Sequence, residues 1–208
     1  MLADEINRAT PKVQSALLEA MQEQQVTIGN DTLPLPHPFF VLATQNPIEQ
    51  EGTYLLPEAQ VDRFLMKIVV TYPSHEQEER MLSLLEQPIS TIEPVVDQTG
   101  LLHAQEEVNK IFINDALKTY IVRLVQAKRD SPMLQYGASP RASLACMQAS
   151  KACAWLSGKD EVMIEHIHRV LLLVLRHRVI PAYKAQISKK NIDDLLVDII
   201  QNVPVELG

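Results

Sequence analysis

The chain has 208 residues and a formal net charge of −7; 46% of its residues are hydrophobic, 22% are charged and only 5% are aromatic. That suits one large or two small globular domains whose core rests on Leu, Ile, Val, Ala and Met. The acidic balance argues against a sequence-independent grip on nucleic acid, which needs clustered Lys and Arg to displace counterions. The longest apolar run, Val170 to Leu175, is far too short to span a bilayer. The start, Met1-Leu2-Ala3-Asp4-Glu5, has neither the basic nor the apolar region of a signal peptide. A cytoplasmic protein with no membrane and no nucleic-acid partner is expected.

In chain order, Met1 to Ala3 reads as the end of a buried strand that runs into two acids. Thr10-Pro11 is a cap followed by proline at the first helical position, and Val13, Leu17, Leu18 and Met21 follow at helical spacing, so a helix is expected from about Pro11 to Gln25. Val26-Thr27-Ile28 and Thr32 to Leu35 flank Gly29-Asn30-Asp31 and predict a hairpin near 26–35, with Pro34 and Pro36 placing its second arm at an edge. Phe39 to Ala43 is continuously apolar and ends in Thr44-Gln45-Asn46-Pro47, the pattern of a strand covered on both faces with polar residues at its carboxyl end. Pro57 to Phe64 predicts a short helix and Lys67 to Val70 another buried strand. Ser74 with Gln77 makes a capping box for a helix to about Leu85, and Pro88 and Pro94 bracket a linker.

After Thr99 the strand signals stop. Helices are expected near Leu101–Lys110, Asp115–Ala127, Pro140–Leu156, Ile164–Arg178 and Asp193–Asn202, the third opening on a second cap-then-proline pair, Ser139-Pro140. Cys146 and Cys153 lie seven apart in an apolar helical stretch and read as two buried reduced thiols. Their spacing to His166, His168 and His177 matches no zinc pattern. The sequence therefore divides into an α/β part and an all-α part.

The chemistry starts at Asp4-Glu5. A strand that ends in adjacent acids puts them at the carboxyl edge of a sheet, where α/β folds build their sites. Because neighbouring residues on an extended chain point to opposite sides, one could hold a hydrated magnesium ion and the other could accept a proton from a water. The dipeptide alone reads more readily as a solvated acidic loop. Its context is more specific: Asp4-Glu5-Ile6-Asn7-Arg8-Ala9, Ala43-Thr44-Gln45-Asn46-Pro47, Glu58-Ala59-Gln60-Val61-Asp62-Arg63-Phe64 and Gly137-Ala138-Ser139-Pro140-Arg141-Ala142 occur in that order, with Gly52-Thr53-Tyr54 and Leu56-Pro57-Glu58 between. Together, from Asp4 to about Arg178, they resemble the MoxR family of AAA+ ATPases.

The resemblance implies an α/β P-loop NTPase core, here only the C-terminal half with an incomplete parallel sheet, followed by an all-α lid. It assigns 1–72 to the core with the hairpin insertion, 73–98 to a linking helix and linker, and 99–208 to the lid. It implies ATP and Mg²⁺ as cofactors. Asp4 and Glu5 are similar to the Walker B pair, Asp4 for Mg²⁺ through water and Glu5 to polarise the attacking water; Asn46 is similar to sensor 1. Arg63 resembles the arginine finger, which has its target in a neighbouring subunit, and Arg141 resembles sensor 2, touching nucleotide in its own subunit. Each has a plainer reading: a loop-capping amide for Asn46, an ion pair with Asp62 or Glu58 for Arg63, solvation for Arg141, a surface hairpin for 26–35. Arg8 is a candidate for the subunit interface.

The family further implies a ring, a hexamer, that hydrolyses ATP between subunits and remodels client proteins in a chaperone-like way, often beside a von Willebrand factor A-domain partner. The chain departs from the family in one respect: none of its six glycines begins the G-x-x-x-x-G-K-[ST] pattern whose amides cradle phosphates. Because it also starts inside the Walker B strand, a fragment is expected, one that binds ATP weakly or not at all and exposes apolar sheet edges. The alternative is a non-catalytic adaptor that never had the loop.

Overall fold

The computed structural model describes residues 1–46, 53–54, 56–85, 91–127, 133–136, 138–183 and 191–205. Pro47, Gly52, Pro88 and Gly137, named above, lie outside them.

Strand β1 (Leu2–Ala3) pairs in parallel with β4 (Leu42–Ala43), in the register Leu2 to Leu42 and Ala3 to Ala43. Between them run helix α1 (Pro11–Glu23) and the hairpin of β2 (Gln25–Ile28) and β3 (Asp31–Pro34). Helix α1 begins at its proline as expected, although Thr10 makes no side-chain cap. The hairpin turns on Gly29-Asn30, and Gly29 has φ +64°, a conformation open to glycine without steric cost. A small core of Ile6, Leu17 and Leu56 lies between α1 and the strands, with Ala3, Met21, Val41, Ala43 and Val61 packed around it.

Two strand expectations fail on burial. Leu2 is 66% exposed and Phe40 71%, so β1 and β4 are not covered on both faces. Residues 67–70 form no strand at all, and Val70 is 89% exposed. A strand exists only where a neighbour takes its N–H and C=O groups, and no strand lies alongside 67–70 among the described residues.

After α2 (Glu58–Val61) and α3 (His75–Leu85), the helical part consists of α4 (Gln98–Lys110), α5 (Asp115–Ala127), α6 (Pro140–Leu156), α7 (Ile164–Leu175) and α8 (Ile192–Asn202). The predicted capping box at α3 is present in both directions: Ser74 N–H donates to Gln77 and Gln77 N–H to Ser74. On α6 the buried face is Ala142, Ala145, Cys146, Ala149, Ser150 and Ala154. Such small side chains bring helices close, and α7 presents Ile167, Val170, Leu171, Val174 and Leu175 to the same core. Helix α8 adds Leu195 and Leu196 to this core. Both cysteines are free, Cys146 buried and Cys153 partly so.

The helical part is not wholly helical. A short antiparallel pair, β5 (Leu134–Tyr136) with β6 (Ile180–Pro181), closes it, and Phe112 bridges to Glu161. Segments of two or three residues are too short to show an alternating pattern, so no strand signal marks them after Thr99.

Candidate functional site

The pairing of β1 with β4 continues past both strands. Thr44 N–H donates to Ala3 O at 3.0 Å, and Ile6 N–H donates to Thr44 O at 2.9 Å. Asp4 and Glu5 sit between these bonds, and Thr44 serves both: its hydroxyl oxygen accepts the Glu5 N–H at 2.8 Å, and its O–H donates to Asp4 Oδ1. Asp4 remains exposed.

Glu5 has φ 47° and ψ 51°, the left-handed region, which costs a residue with a side chain roughly 1–2 kcal/mol. Such strain persists where the surroundings over-determine it. Here Thr44 holds the Glu5 N–H, Asn46 Nδ2 donates to Glu5 Oε1 at 3.2 Å, and Arg8 Nε lies 2.9 Å from Oε2. Glu5 and Asn46 are thus brought together from the ends of two adjacent parallel strands. Arg8, a candidate for an interface, spends its guanidinium partly on Glu5.

A buried amide network stands behind this cluster. Asn7, 7% exposed, donates to Asn46 O at 3.0 Å and accepts Asn46 N–H at 3.3 Å. Gln14, 2% exposed, donates to Ile6 O and Tyr54 O, both at 3.1 Å. Asn7 thus uses its donor and its acceptor, and Gln14 its donor twice, as burial of an amide demands. Sequence reasoning passed over them. The available signal was Gln14 standing three and four residues before Leu17 and Leu18, a polar residue on an apolar helical stripe.

Arg63 lies just past α2. It pairs with neither Asp62 nor Glu58; its guanidinium donates to Gln22 Oε1 on α1 of its own chain. Its Nε and Gln60 Oε1 are buried without hydrogen-bond partners among the described residues, and both residues line a cleft of about 290 Å³ with Ser15, Glu19 and Gln22.

Arg141 sits one residue into α6 and is exposed. Its backbone N–H donates to the N-cap Ser139 Oγ at 3.2 Å. Among the described residues its side chain makes no hydrogen bond or ion pair, so the structure joins Glu5 to Asn46 but does not join Arg141 to them.

The segment carrying Arg63 is fastened to the helical part. Arg178, its side chain 2% exposed, donates from Nε to Asp62 Oδ1 at 2.8 Å, and its other nitrogens donate to the carbonyls of Asp62, Phe64, Leu65 and Val174. Burial pulls its pKa below the ordinary arginine value, and Asp62 opposes that pull. His177 Nε2 lies 2.9 Å from Phe64 O. Burial, reinforced by the charge of Arg178, lowers its pKa to about 4, so the ring is neutral near pH 7 and Nε2 carries the donated proton. Ser139 Oγ donates to Asp62 Oδ2 at 2.8 Å.

Among the described residues no group of three or more His, Cys, Asp or Glu is placed to hold a metal, and no helix is long and apolar enough to cross a membrane.

Residues 1–66 match the family model for the ATPase family associated with various cellular activities (AAA), and residues 126–199 match the AAA lid domain. The chain is 45% identical over 207 residues to the uncharacterized protein YeaC of Bacillus subtilis, covering 99% of this chain and 65% of that protein. It is 43% identical over 212 residues to chaperone MoxR1 of Mycobacterium tuberculosis, covering 98% of this chain and 56% of that one. A crystal structure from Cytophaga hutchinsonii, provisionally assigned to the ATPases, superposes with a TM-score of 0.92 at 43% identity over 99% of this chain and 66% of its own. The chain thus spans less than two thirds of the length of each.

Proposed function

The chain belongs to the MoxR family of AAA+ ATPases, with part of an α/β P-loop NTPase core followed by a helical lid, and on that premise we propose that Glu5, Asn46, Arg63 and Arg141 are the hydrolytic groups of an ATP site shared between ring subunits. The observation that carries this reading is the 3.2 Å contact between Glu5 and Asn46 at the carboxyl ends of two parallel strands. A carboxylate that takes a proton from water and an amide that orients the same water need this adjacency.

The residues present fit Mg²⁺ and ATP in part. Asp4 offers an exposed hard-oxygen ligand, and Mg²⁺ is commonly held by one or two carboxylates together with phosphates and waters. Bound Mg²⁺–ATP supplies the phosphoryl group and neutralises charge on its oxygens. Glu5 serves as base, Asn46 positions the water, and Arg141 contacts nucleotide in its own subunit. Arg63 exchanges Gln22 for the nucleotide of a neighbour. The phosphate-cradling pattern is not within these 208 residues, so by themselves they bind ATP weakly or not at all.

The work done with that energy is remodelling of protein clients by a ring, a hexamer, with a von Willebrand factor A-domain protein as the partner class. The similarity to a protein named as a chaperone supports this. The test is Arg63→Ala in the full ATP-hydrolysing protein: turnover should fall by about 10³-fold or more while ATP still binds. Unchanged turnover would remove Arg63 from the chemistry.

A further inference from the structure

We propose that Asp62 is a positioning residue whose carboxylate couples the start of the lid helix α6 to the segment that carries Arg63, so that the two arginines shift together. The inference rests on the roles proposed above for Arg63 and Arg141, but its structural half can be tested without them.

Both oxygens of Asp62 are committed. Oδ1 accepts from Arg178 Nε and Oδ2 from Ser139 Oγ, each at 2.8 Å. The two bonds do different things. Arg178 stands three residues past the end of α7 and also grips the carbonyls of Phe64 and Leu65, so it anchors 62–65 on the end of α7. Ser139 adds a second tie, from the same carboxylate to the start of α6. It is the N-cap of α6, and its oxygen also accepts the Arg141 N–H.

A continuous line of bonds therefore runs from the Arg141 amide through the Ser139 hydroxyl to the Asp62 carboxylate, and from there along one peptide to Arg63. With the Asp62 side chain 17% exposed, little water is available to replace the serine. A shift of the α6 N-terminus, on which Arg141 rides, must carry Asp62 with it or break this bond. Asp62 needs no contact with nucleotide for this; it transmits the state of Arg141 in one subunit to the finger that reaches the next.

The test separates the link from the cap. Ser139→Gly removes the hydroxyl at little cost to the helix cap, since glycine is itself a tolerated N-cap, and Ser139→Thr keeps both. In the 208-residue chain, amide hydrogen exchange at Arg63 and Phe64 should quicken about fivefold in S139G, the worth of one hydrogen bond, and stay at the wild-type rate in S139T. Ser139→Ala serves as a second deletion should S139G fold poorly.

In the full ATP-hydrolysing protein, S139G should lower kcat and bring the Hill coefficient for ATP toward one. ATP affinity should hold, and S139T should restore both quantities. Unchanged exchange at Arg63 and Phe64, or normal kcat and cooperativity in S139G, overturns the coupling. Arg63→Ala is assayed in parallel. A normal R63A would sink the proposed role of Arg63, whereas a dead R63A beside a fully cooperative S139G would sink only the inference about Asp62.

Discussion

Asn46 Nδ2 lies 3.2 Å from Glu5 Oε1 although 41 residues separate them in sequence. The contact exists because β1 and β4 run parallel in register, so their carboxyl ends deliver the two side chains to one point. If Glu5 is the base, Glu5→Gln keeps the size and the Asn46 contact but removes the proton acceptor. Turnover in the full ATP-hydrolysing protein should drop about 10²-fold or more. Asn46→Ala should cost about 10²–10³-fold, the usual loss for one positioned donor. Single-turnover hydrolysis read beside ATP binding checks both. A pair of variants that lose binding and keep the chemical rate would place these residues in nucleotide affinity instead.

Arg178 and Asp62 form the most enclosed ion pair of the structure's described residues, with side chains 2% and 17% exposed. Removing one partner of such a pair leaves a charge without water or counter-ion. Arg178→Met should destabilise the chain by about 3–5 kcal/mol in urea titrations. Adding Asp62→Asn removes the stranded charge and should recover part of that loss, a coupling that a double-mutant cycle measures. Additive losses would mean that the two side chains do not act on each other.

The stretch between the two hydrophobic clusters is the weakest in packing. Helix α3 buries no residue, and Tyr72, Leu85, Ile92 and Val95 are 94%, 83%, 92% and 97% exposed. Local opening costs least where few apolar contacts are lost. Limited chymotrypsin digestion should cut first between Tyr72 and Leu85 and leave a resistant C-terminal fragment containing α5 to α8. First cuts inside α6 or α7 would contradict the packing described here.

What the sequence made legible was local. Two cap-then-proline pairs set the starts of α1 and α6 at Pro11 and Pro140, a reciprocal Ser74–Gln77 box set α3, and Gly29-Asn30 set the hairpin. Glu5 and Asn46 each follow an apolar run, but it is the resemblance to the MoxR family that assigns them to one site. What stayed hidden depends on partners far away in the chain. Lys67 to Val70 has the composition of a strand, but composition does not supply a neighbour. Thr44 under Asp4 and Glu5, Gln22 on Arg63, and Arg178 on Asp62 across 116 residues leave no periodic trace, since each is a single contact fixed by packing.

His177 gives the fold a dependence on acid. Its Nε2 proton is donated to Phe64 O, and its Nδ1 is buried without a partner among the described residues. Burial opposes a charge on this ring most strongly, and Arg178 and Lys67 oppose it as well; the bond to Phe64 O and the charge of Asp62 favour it less, which is why the pKa falls from 6.5 to about 4. In the unfolded chain the imidazole takes up its proton near pH 6.5; in the folded chain it resists until about pH 4. The unfolded state therefore binds more protons between those values, and stability present above pH 6.5 is lost as pH falls through that window. His177→Gln keeps an amide donor for Phe64 O and cannot titrate. Urea midpoints measured from pH 7 down toward pH 4 should fall more steeply for wild type than for H177Q, because the carboxylates that also titrate there are common to both. Parallel curves would show that His177 is solvated and does not report on the joint between Phe64 and the end of α7.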